Sequence, residues 1–444
     1  MIVLKFGGSS LGSAVGLSKV GSIINAVSGR KIVVCSAISG TTDILARMVA
    51  CVKTGDREST LNHINTLQKN HINLVNNQAF ESEIRRALID IVNEGMENIL
   101  ELTKNEINLS KECEIITYGE LLSTKIYSAY LNSIGIQNVL LDARDFMTVS
   151  PLENPDISII SERLNALLRV KKDYELFITQ GFIRVNERGE LRHLERGGSD
   201  YTATLLGAAT IAKEVQIWSD TDGIQNNDPR YVEQTFSVPF LSYDEAADLA
   251  YFGAKILHPN TVFPVKKLQI PLFLKNTYHM DANGTMISNT MLKDGIKAIS
   301  AKDNLMCLSF QSDSLKGNLG FKVNNVFQRY GIPIYVCSES NGVLEIVINQ
   351  IYDIQPARVE LEKNIVIQIK RDLCGICLVG EEPNQNIKAG YVRIMKAISY
   401  DNNVLPVGKL GLFALVNSKK KISILRELNS QLFIKEFDGI IKGV

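Results

Sequence analysis

The first twelve residues, MIVLKFGGSSLG (residues 1–12), decide the fold of the N-terminal part of the chain. Ile2–Phe6 is an apolar run typical of a buried strand, and a glycine-serine turn follows it. A helix-like pattern then extends to Val27, and Lys31–Ser36 forms the next apolar run. Because short strands that alternate with helical patterns are typical of α/β proteins, the sequence predicts a mainly parallel sheet with helices on both faces.

The remainder of the chain suggests an insertion and a separate C-terminal region. Residues from about 41 to 115 show a long, polar helical pattern, which predicts a helical insertion over the edge of the sheet. Further strands are predicted near Val139–Leu141, Leu176–Thr179 and Val215–Trp218. Beyond about residue 293, two segments share a plan of strand, helix and paired strands, with Ile334–Val336 among the predicted strands. These segments, about 299–350 with an added C-terminal element and about 363–430, predict two α+β modules.

The composition excludes several classes of protein. Among 444 residues, 48 basic side chains balance 48 acidic ones, so nothing indicates a surface for nucleic acid or an anionic membrane. No stretch approaches the roughly 20 apolar residues that span a bilayer, and the N-terminus does not resemble a signal peptide. Seven cysteines and five scattered histidines offer neither a disulfide framework nor the spacing of a metal site. We therefore expect a cytoplasmic protein that binds no metal through its own side chains.

The turn Lys5-Phe-Gly-Gly-Ser-Ser10 lies between a buried strand and a helix, where backbone N–H groups can bind an anion. Lys5 adds a full positive charge beside Gly7 and Gly8. The glycine spacing matches neither the P-loop nor the dinucleotide-binding fingerprint. We interpret the turn as a phosphate site, since the lysine at the end of the strand distinguishes it from a purely structural Gly-Gly turn.

Two further segments are candidates for substrate contacts. Arg196-Gly-Gly-Ser-Asp200 precedes an alanine- and leucine-rich helix, which Ser199 or Asp200 is suited to cap. Capping does not explain two glycines behind an arginine, and these favour an anionic ligand held by a bidentate guanidinium. Ser36–Thr42 follows the second strand, where open α/β sheets bind ligands, and is either a substrate contact or an ordinary polar loop.

Glu120, in the motif Tyr118-Gly-Glu-Leu-Leu-Ser123, is predicted near the start of a helix whose face is otherwise apolar. A buried carboxylate requires a cationic or hydrogen-bonding partner. The ammonium group of a substrate and a helix cap both meet that requirement, and the residues alone do not choose between them.

A further loop follows the apolar strand that ends near residue 218. It contains Ser219, Asp220 and Arg230, and it lacks the closing glutamate of a calcium-binding EF-hand. The loop is either a nucleotide contact, with Arg230 near the phosphates, or an Asx-rich turn. The next segment, Ser242–Pro259, is predicted to be one amphipathic helix ended by its proline, and Lys255 on it is either a surface charge or a ligand contact.

Together these loops supply anion-binding turns and cationic side chains, without a conspicuous nucleophile or general base. Phosphoryl transfer has this profile, because its catalysis consists mainly of positioning and charge neutralisation, usually with Mg²⁺ on the phosphates. A carboxylate acceptor is already ionised at neutral pH, so it needs no base.

In chain order, these motifs closely resemble those of the aspartokinase family. They are Lys5–Ser10, Ser36–Thr42, Tyr118–Ser123, Thr179–Ile183, Arg196–Ala203, Asp222–Arg230 and Phe252–Pro259. The resemblance implies an amino acid kinase fold over residues 1–293, and residues 297–444 resemble the paired ACT domains of the monofunctional, lysine-sensitive type. It implies that ATP, carrying Mg²⁺, phosphorylates the side chain of L-aspartate to 4-phospho-L-aspartate. This reaction leads to lysine, diaminopimelate, threonine and methionine, and an amino-acid effector, lysine or another, regulates it through the ACT domains.

The resemblance also implies roles for individual residues. Arg196 would receive the α-carboxylate of aspartate and Glu120 its amino group. The transferring phosphate would be held by Lys5, Gly7 and Gly8, with Asp200 in the same catalytic set. Aspartate would be positioned by Ser36, Thr42, Glu120, Arg196, Gly197, Gly198, Ser199 and Asp200. ATP would be bound by Lys5, Gly8, Ser219, Asp220, Gln225, Arg230 and Lys255.

The catalytic region departs from the family pattern at four positions. Ser9 and Ser219 stand where the family usually has threonine, and both keep a hydroxyl group. Gln225 stands where tyrosine is usual, which removes a ring from the adenine side. Arg184 stands where glycine is common, with no consequence that the sequence reveals.

The ACT region departs from the lysine-sensitive pattern more sharply. Pro333-Ile334-Tyr335 replaces a Ser-x-Asp motif whose aspartate helps to receive the ammonium group of the effector. Burying the ammonium of lysine without that carboxylate is costly unless Glu339 or Asp313 substitutes for it. We therefore expect inhibition by lysine to be weakened or altered in this protein.

Two alternatives to an active aspartokinase remain open from the sequence. One is a catalytically dead protein that senses amino acids, and the presence of Lys5, Glu120, Arg196 and Asp200 argues against it. The other is a related kinase with a different acceptor, such as acetylglutamate, glutamate or UMP. We also expect a homodimer or higher homo-oligomer, because paired ACT modules commonly join edge strands between chains.

Overall fold

The computed structural model describes residues 1–104, 106–152, 154–195, 197–254, 257–289, 295–311, 318–340, 342–362, 365–381, 385–399, 404–407 and 411–434. Arg196, Lys255 and Asp313, which carried predictions from the sequence, lie outside these ranges. The chain forms two compact units. The first comprises Met1–Ile224, Pro239–Tyr243 and Ile256–Thr290, and the second comprises Gln225–Val238, Asp244–Lys255 and Met291–Val444.

A mainly parallel sheet forms the centre of the first unit, as the sequence predicted. The strands of this unit are β1 (Ile2–Phe6), β2 (Lys31–Cys35), β3 (Val139–Leu141), β4 (Leu176–Gln180), β5 (Ile183–Val185), β6 (Leu191–His193), β7 (Glu214–Ser219), β8 (Phe240–Ser242), β9 (Leu272–Asn276) and β10 (Thr285–Ser288). Eight of them form one sheet in the order β3-β4-β2-β1-β7-β9-β10-β8, in which only β9 and β10 pair antiparallel. Strands β5 and β6 form a separate hairpin.

Helices cover this sheet and form the predicted helical stretch beside it. The helices of the first unit are α1 (Gly8–Leu11), α2 (Ala14–Ala26), α3 (Thr41–Lys53), α4 (Arg57–Asn76), α5 (Ser82–Leu102), α6 (Leu109–Ser133), α7 (Ile157–Val170), α8 (Gly198–Ala209) and α10 (Pro259–Lys267). Helix α9 (Tyr243–Tyr251) belongs to the second unit except for Tyr243. Buried residues of α2, α4, α5 and α6 pack with β1, β2 and β4 in one apolar cluster. Helices α3 to α6 also share a second apolar cluster of their own. Helix α6 belongs to both clusters, so it has a fixed position relative to the sheet.

The helical pattern after the glycine-serine turn is interrupted, which corrects the prediction of one continuous stretch. Helix α1 has only four residues and α2 starts again at Ala14. Ser13 between them is extended, and its hydroxyl accepts a hydrogen bond from the N–H of Gly16 at 3.0 Å. This serine therefore caps α2, because it satisfies one of the free N–H groups at the start of that helix.

The segment Ser242–Pro259 is likewise not one helix, and that prediction was wrong. Helix α9 ends at Tyr251, and Gly253 adopts a φ of 115°, which side-chain-bearing residues rarely take. Pro259 opens α10 instead of ending the previous helix. A proline is accepted at the first helical position because the N–H group it lacks has no partner inside the helix there.

The second unit is built on an antiparallel sheet with helices. Its strands are β11 (Gly295–Gln311), β12 (Val336–Ser340), β13 (Val343–Asn349), β14 (Val366–Glu381), β15 (Val404–Val407) and β16 (Gly411–Asn417). Its remaining helices are α11 (Leu319–Arg329), α12 (Gln355–Leu361), α13 (Gln385–Ile398) and α14 (Lys421–Asn429). The sheet order is β12-β13-β11-β14-β16-β15, and all neighbours are antiparallel.

Two separate apolar clusters organise the second unit. One joins α11 and α12 to β11 and β13, and the other joins α13 and α14 to β14 and β16. The predicted strand Ile334–Val336 overlaps β12 only at Val336. Most residues of β12 are exposed and polar because this strand lies at the edge of the sheet, so it lacks the apolar pattern by which a buried strand is recognised.

The predicted fold class is confirmed: an α/β unit with a mainly parallel sheet is followed by antiparallel α+β structure. Within the described ranges, none of the helices combines the length and the apolar character that a membrane span requires.

Candidate active site

Lys5 lies near the end of β1, and its side chain forms an ion pair with Asp200. The Nζ atom of Lys5 is 2.7 Å from Oδ1 of Asp200, and the two side chains are only 11% and 13% exposed. Asp200 is in the first turn of α8, so the pair connects the central strand to the start of that helix. Two predicted catalytic residues are thus brought together in a partly buried place.

The turn before α8 differs from the prediction that Ser199 or Asp200 caps this helix. The residue that precedes α8 is Gly197, in a left-handed conformation with φ of 77°, and no side chain caps the helix. Gly198 and Ser199 are the first two residues of α8. An anionic group of a ligand is favoured near the backbone N–H groups of a helix start that lacks a side-chain cap.

Gly8 is enclosed by the segment that follows β2. A Cβ atom at this position would lie 2.5 Å from the carbonyl oxygen of Ala37 and 2.8 Å from the backbone nitrogen of Ser39. The N–H of Ser39 also donates to the carbonyl of Gly8 at 3.2 Å, and the N–H of Gly7 donates to the carbonyl of Trp218 at 3.1 Å. The predicted phosphate turn is therefore held against two neighbouring strand ends.

We predict that Gly8→Ala disrupts this turn while Gly7→Ala is tolerated by the fold. The Cβ atom on Gly8 collides with backbone, and such overpacking costs about 1–3 kcal/mol of stability. On Gly7 the nearest atom is 3.7 Å away, and Nζ of Lys5 is 3.8 Å away. Thermal unfolding of the two variants tests this expectation, and equal melting temperatures would contradict it.

The predicted segment Ser36–Thr42 lies beside this turn. The N–H of Ser36 donates to the carbonyl of Phe6 at 3.2 Å, directly after β2. Thr42 is half-buried in the first turn of α3. On the other side, the hydroxyl of Ser123 on α6 donates to the carbonyl of Ser36 at 2.8 Å. The segment thus connects the turn after β1 to helix α6.

Glu120 lies well inside α6, so the expectation of a helix start was wrong and a capping role is excluded. Its side chain is buried, and Oε1 accepts a hydrogen bond from the N–H of Ala37 at 3.3 Å. Oε2 is buried without a hydrogen-bond partner among the described residues. Burial raises the pKa of Glu120 to about 8. A buried carboxylate with an unused oxygen is an acceptor site for a cationic ligand.

The loop after β7 carries the predicted nucleotide contacts Ser219 and Asp220. The hydroxyl of Ser219 lies 3.1 Å from that of Thr221, and Asp220 is exposed. Residues Asn276–Tyr278, at the end of β9 and at the same edge of the sheet, contact this loop and were not singled out from the sequence. A polar run directly after an apolar strand was the available signal, since ligands bind at the carboxyl ends of parallel strands.

Gln225 and Arg230 belong to the second unit, and their assignment to the nucleotide remains a prediction. The side-chain amide of Gln225 donates to the hydroxyl of Ser237 at 2.8 Å. The exposed guanidinium of Arg230 pairs with the carboxylate of Asp228, with Nε 2.9 Å from Oδ1. Lys255 and Arg196 lie outside the described residues, so their roles also stay predictions.

Arg184, which departs from the family pattern, has a structural role. Its Nη1 donates to the carbonyl of Val149 at 2.7 Å, and its Nε donates to the carbonyl of His193 at 3.1 Å. The guanidinium therefore ties the segment before residue 150 to the β5–β6 hairpin, a function that glycine cannot perform.

No group of three or more histidine, cysteine, aspartate or glutamate side chains in the described part of the chain is arranged to bind a metal ion. The first unit instead offers a cation, Lys5, beside a glycine turn and a helix start, and a buried carboxylate, Glu120, behind the neighbouring segment. This arrangement can bind a negatively charged group at the turn and an ammonium group at Glu120.

Comparisons with known proteins agree with this chemistry. Residues 1–276 match the amino acid kinase family. The chain is 30% identical to aspartokinase 3, chloroplastic, of Arabidopsis thaliana, over 97% of this chain and 81% of that protein. It is 27% identical to lysine-sensitive aspartokinase 3 of Escherichia coli, over 98% and 99% of the two chains. Its structure matches that of E. coli aspartokinase III in complex with aspartate and ADP, with a TM-score of 0.86, 25% identity, and coverage of 98% and 100%.

Proposed function

Since this chain belongs to the amino acid kinase family, and within it to the aspartokinases, we propose that it transfers the γ-phosphoryl group of ATP to the side-chain carboxylate of L-aspartate. The products are 4-phospho-L-aspartate and ADP. One carboxylate oxygen of aspartate forms a bond to the γ-phosphorus, and the bond from that phosphorus to the β,γ-bridging oxygen breaks. No proton leaves the acceptor, since the carboxylate is ionised at neutral pH.

The observation that carries this proposal is the unused oxygen of Glu120. A substrate that accepts the phosphoryl group but has no ammonium group would leave the buried carboxyl of Glu120 without a partner. An α-amino acid supplies a cation at that position, and the cation both satisfies the oxygen and favours the ionised form of the carboxyl. Glu120 then orients the substrate by its amino group.

Lys5, with the turn at Gly7 and Gly8, stabilises the phosphoryl group in transit. Charge on the phosphoryl oxygens is spread widely in the transition state, and a nearby ammonium together with backbone N–H groups offsets it. The ion pair with Asp200 holds Lys5 in place, because it limits the side chain to one orientation. The predicted role of Arg196 at the α-carboxylate completes the binding of the amino acid.

Mg²⁺ is expected to arrive on the ATP phosphates, where it neutralises charge. In this proposal Mg²⁺ is carried by the nucleotide and needs no protein cage of its own. Asp220, exposed at the start of the loop after β7, is a carboxylate on the predicted nucleotide side.

Release of ADP in a coupled assay with ATP·Mg²⁺ tests the proposal. Aspartate should support turnover, while acetylglutamate, glutamate and UMP should not. Turnover with one of these other acceptors in place of aspartate would identify a related kinase. ADP release with none of them would favour the amino-acid-sensing alternative.

We propose that the second unit binds an amino-acid effector, and that lysine is a weak one. Tyr335, at the position where lysine-sensitive relatives carry the acidic residue, has its ring covered by the ammonium of Lys302, with Nζ 3.9 Å from the ring centre. Glu339, one of the two substitutes considered from the sequence, is exposed on β12. Position 335 therefore offers a lysine effector no carboxylate.

We predict that lysine inhibits this enzyme only at millimolar concentrations, and that Tyr335→Asp increases its potency about tenfold or more, as expected for one charge-assisted hydrogen bond. Initial rates over a lysine titration measure both effects. Inhibition of the unaltered protein by micromolar lysine would contradict this prediction.

A homodimer in the cytoplasm is the proposed state of the protein. The six-stranded sheet of the second unit ends on β12 and β15, and such edges present backbone groups that can pair with another chain. All seven cysteines are free thiols, as is usual in a reducing compartment. Light scattering of the purified protein measures the assembly.

A further inference from the structure

The segment Asn276–Tyr278, which begins at the last residue of β9, contacts both loops to which nucleotide binding was assigned. These loops are the turn after β1, residues 7–10, and the loop after β7, residues 219–223. Each of the three consecutive side chains makes its own contact with one of them. The segment lies entirely within the first unit.

Asn276 holds the loop after β7. Its side chain is buried, and its Nδ2 donates to Oδ1 of Asp222 at 2.7 Å and to the carbonyl of Asp220 at 3.3 Å. Its Oδ1 accepts from the N–H groups of Tyr278 and His279 at 2.8 and 3.3 Å. All the hydrogen-bonding capacity of this amide is therefore used to join the loop to the segment.

Thr277 and Tyr278 hold the turn after β1. The hydroxyls of Thr277 and Ser10 are 2.7 Å apart and share a hydrogen bond, and both residues are fully buried. The hydroxyl of Tyr278 donates to the carbonyl of Ser9 at 2.7 Å. Thr277 also contacts the other loop, since its N–H donates to the carbonyl of Ser219 at 2.8 Å.

We propose that Asn276, Thr277 and Tyr278 are positioning residues that fix the distance between the phosphate turn and the nucleotide loop, and so set the affinity for ATP. This inference rests on the proposed function, because it takes both loops as parts of one nucleotide site. Because these hydrogen bonds are buried and fully made, they keep the two loops at one separation. Loops that are already in place lose less entropy when the nucleotide binds, so binding is stronger.

Matched variants separate positioning from simple stability. Thr277→Ser keeps the hydroxyl and Thr277→Val removes it at nearly constant volume. Tyr278→Phe removes one hydroxyl from a half-buried side chain, so it serves if Thr277→Val does not fold. Asn276→Asp places a second carboxylate against Asp222 and removes their hydrogen bond. In the double variant with Asp222→Asn, the new amide at position 222 can donate to the carboxylate at position 276 and restore that hydrogen bond.

Calorimetric titration with ADP is the primary measurement, because it does not depend on the acceptor. We expect the Kd for ADP to rise about tenfold in Thr277→Val and Tyr278→Phe and to change less than about twofold in Thr277→Ser, as for one lost hydrogen bond. Asn276→Asp should weaken binding more, and Asp222→Asn should recover part of the loss. In steady-state assays the KM for ATP should follow these changes, with the KM for aspartate unchanged.

Two results would overturn the proposal. One is that Thr277→Val and Tyr278→Phe bind ADP as tightly as the unaltered protein. The other is that the KM for aspartate rises with the KM for ATP by the same factor, as general destabilisation would cause. If the unaltered protein binds ADP but does not phosphorylate aspartate, the proposed function fails while the ADP titrations still decide this inference.

Discussion

Replacement of Lys5 by methionine is expected to lower kcat by about 10³-fold or more, the scale on which single charges stabilise phosphoryl transfer. Methionine retains most of the length and apolar volume of lysine but carries no charge. The loss should appear mainly in kcat, because the ammonium interacts most strongly with the charge that develops during transfer. Steady-state kinetics with saturating ATP·Mg²⁺ and aspartate measure this effect.

Because Lys5 forms an ion pair with Asp200, the change Lys5→Met is expected to lower stability as well as activity. Both side chains are nearly buried, and removing one partner leaves the other without compensation, at a cost of about 3–5 kcal/mol. The double variant Lys5→Met with Asp200→Asn removes both charges, so it should regain most of the lost stability without regaining activity. A folded Lys5→Met protein with kcat within about tenfold of the unaltered enzyme would contradict the role assigned to Lys5.

Replacement of Glu120 by glutamine is the second change with a large expected effect. It should raise the KM for aspartate about 100-fold or more, since it removes the charge that the buried ammonium of the substrate requires. The KM for ATP should change little. Glu112→Gln is the matched control, because Glu112 is on the same helix but forms an exposed pair with Lys53.

The raised pKa of Glu120 also predicts how aspartate binding depends on pH. With a pKa of about 8, the carboxyl is protonated in the free protein at pH 7, and it must ionise to receive the ammonium of aspartate. Affinity for aspartate should therefore increase up to about tenfold per pH unit from pH 6 to 8 and level off above that range. Calorimetry in buffers of different ionisation enthalpy should show release of a proton at pH 7, and Glu120→Gln should show none.

The raised pKa of Glu120 also makes the stability of the fold depend on pH, in the direction opposite to that of aspartate binding. Because folding raises the pKa of Glu120 from its ordinary value of 4.5 to about 8, the folded chain holds a proton that the unfolded chain loses between those values. This group therefore makes the fold less stable as pH rises from 4.5 to 8. Glu120→Gln should accordingly raise the free energy of unfolding at pH 8 while impairing the use of aspartate. Lower stability of that variant at pH 8 would contradict this explanation.

The sequence predicted the fold class and the candidate residues through local patterns. The run Ile2–Phe6 and the turn that follows it indicated the strand and the anion site, and both are present. Local patterns could not show that Lys5 pairs with Asp200, because nearly 200 positions separate the two residues and only the packing of α8 brings them together. They also placed Glu120 at a helix start, although α6 begins at Leu109.

The prediction of one helix over Ser242–Pro259 was wrong because a proline can follow one helix or begin another. Pro259 is compatible with the end of one helix and with the start of the next, and the choice depended on the left-handed turn at Gly253. Asn276–Tyr278 contain neither the glycine nor the cationic residue that marked the other candidate turns, so local patterns did not indicate them. Their contacts are made through side-chain amide and hydroxyl groups, which become informative only once the neighbouring loops are in place.

Trapping of the product with hydroxylamine tests most directly whether this chain forms an acyl phosphate on aspartate. Hydroxylamine attacks the carbonyl carbon of an acyl phosphate, releases phosphate and leaves a hydroxamate that can be identified by mass. With ATP·Mg²⁺ and aspartate, the unaltered protein should yield aspartyl hydroxamate in equal amount to ADP, and Lys5→Met should yield almost none. ADP release without hydroxamate, or equal hydroxamate from both proteins, would contradict the proposed reaction at this site.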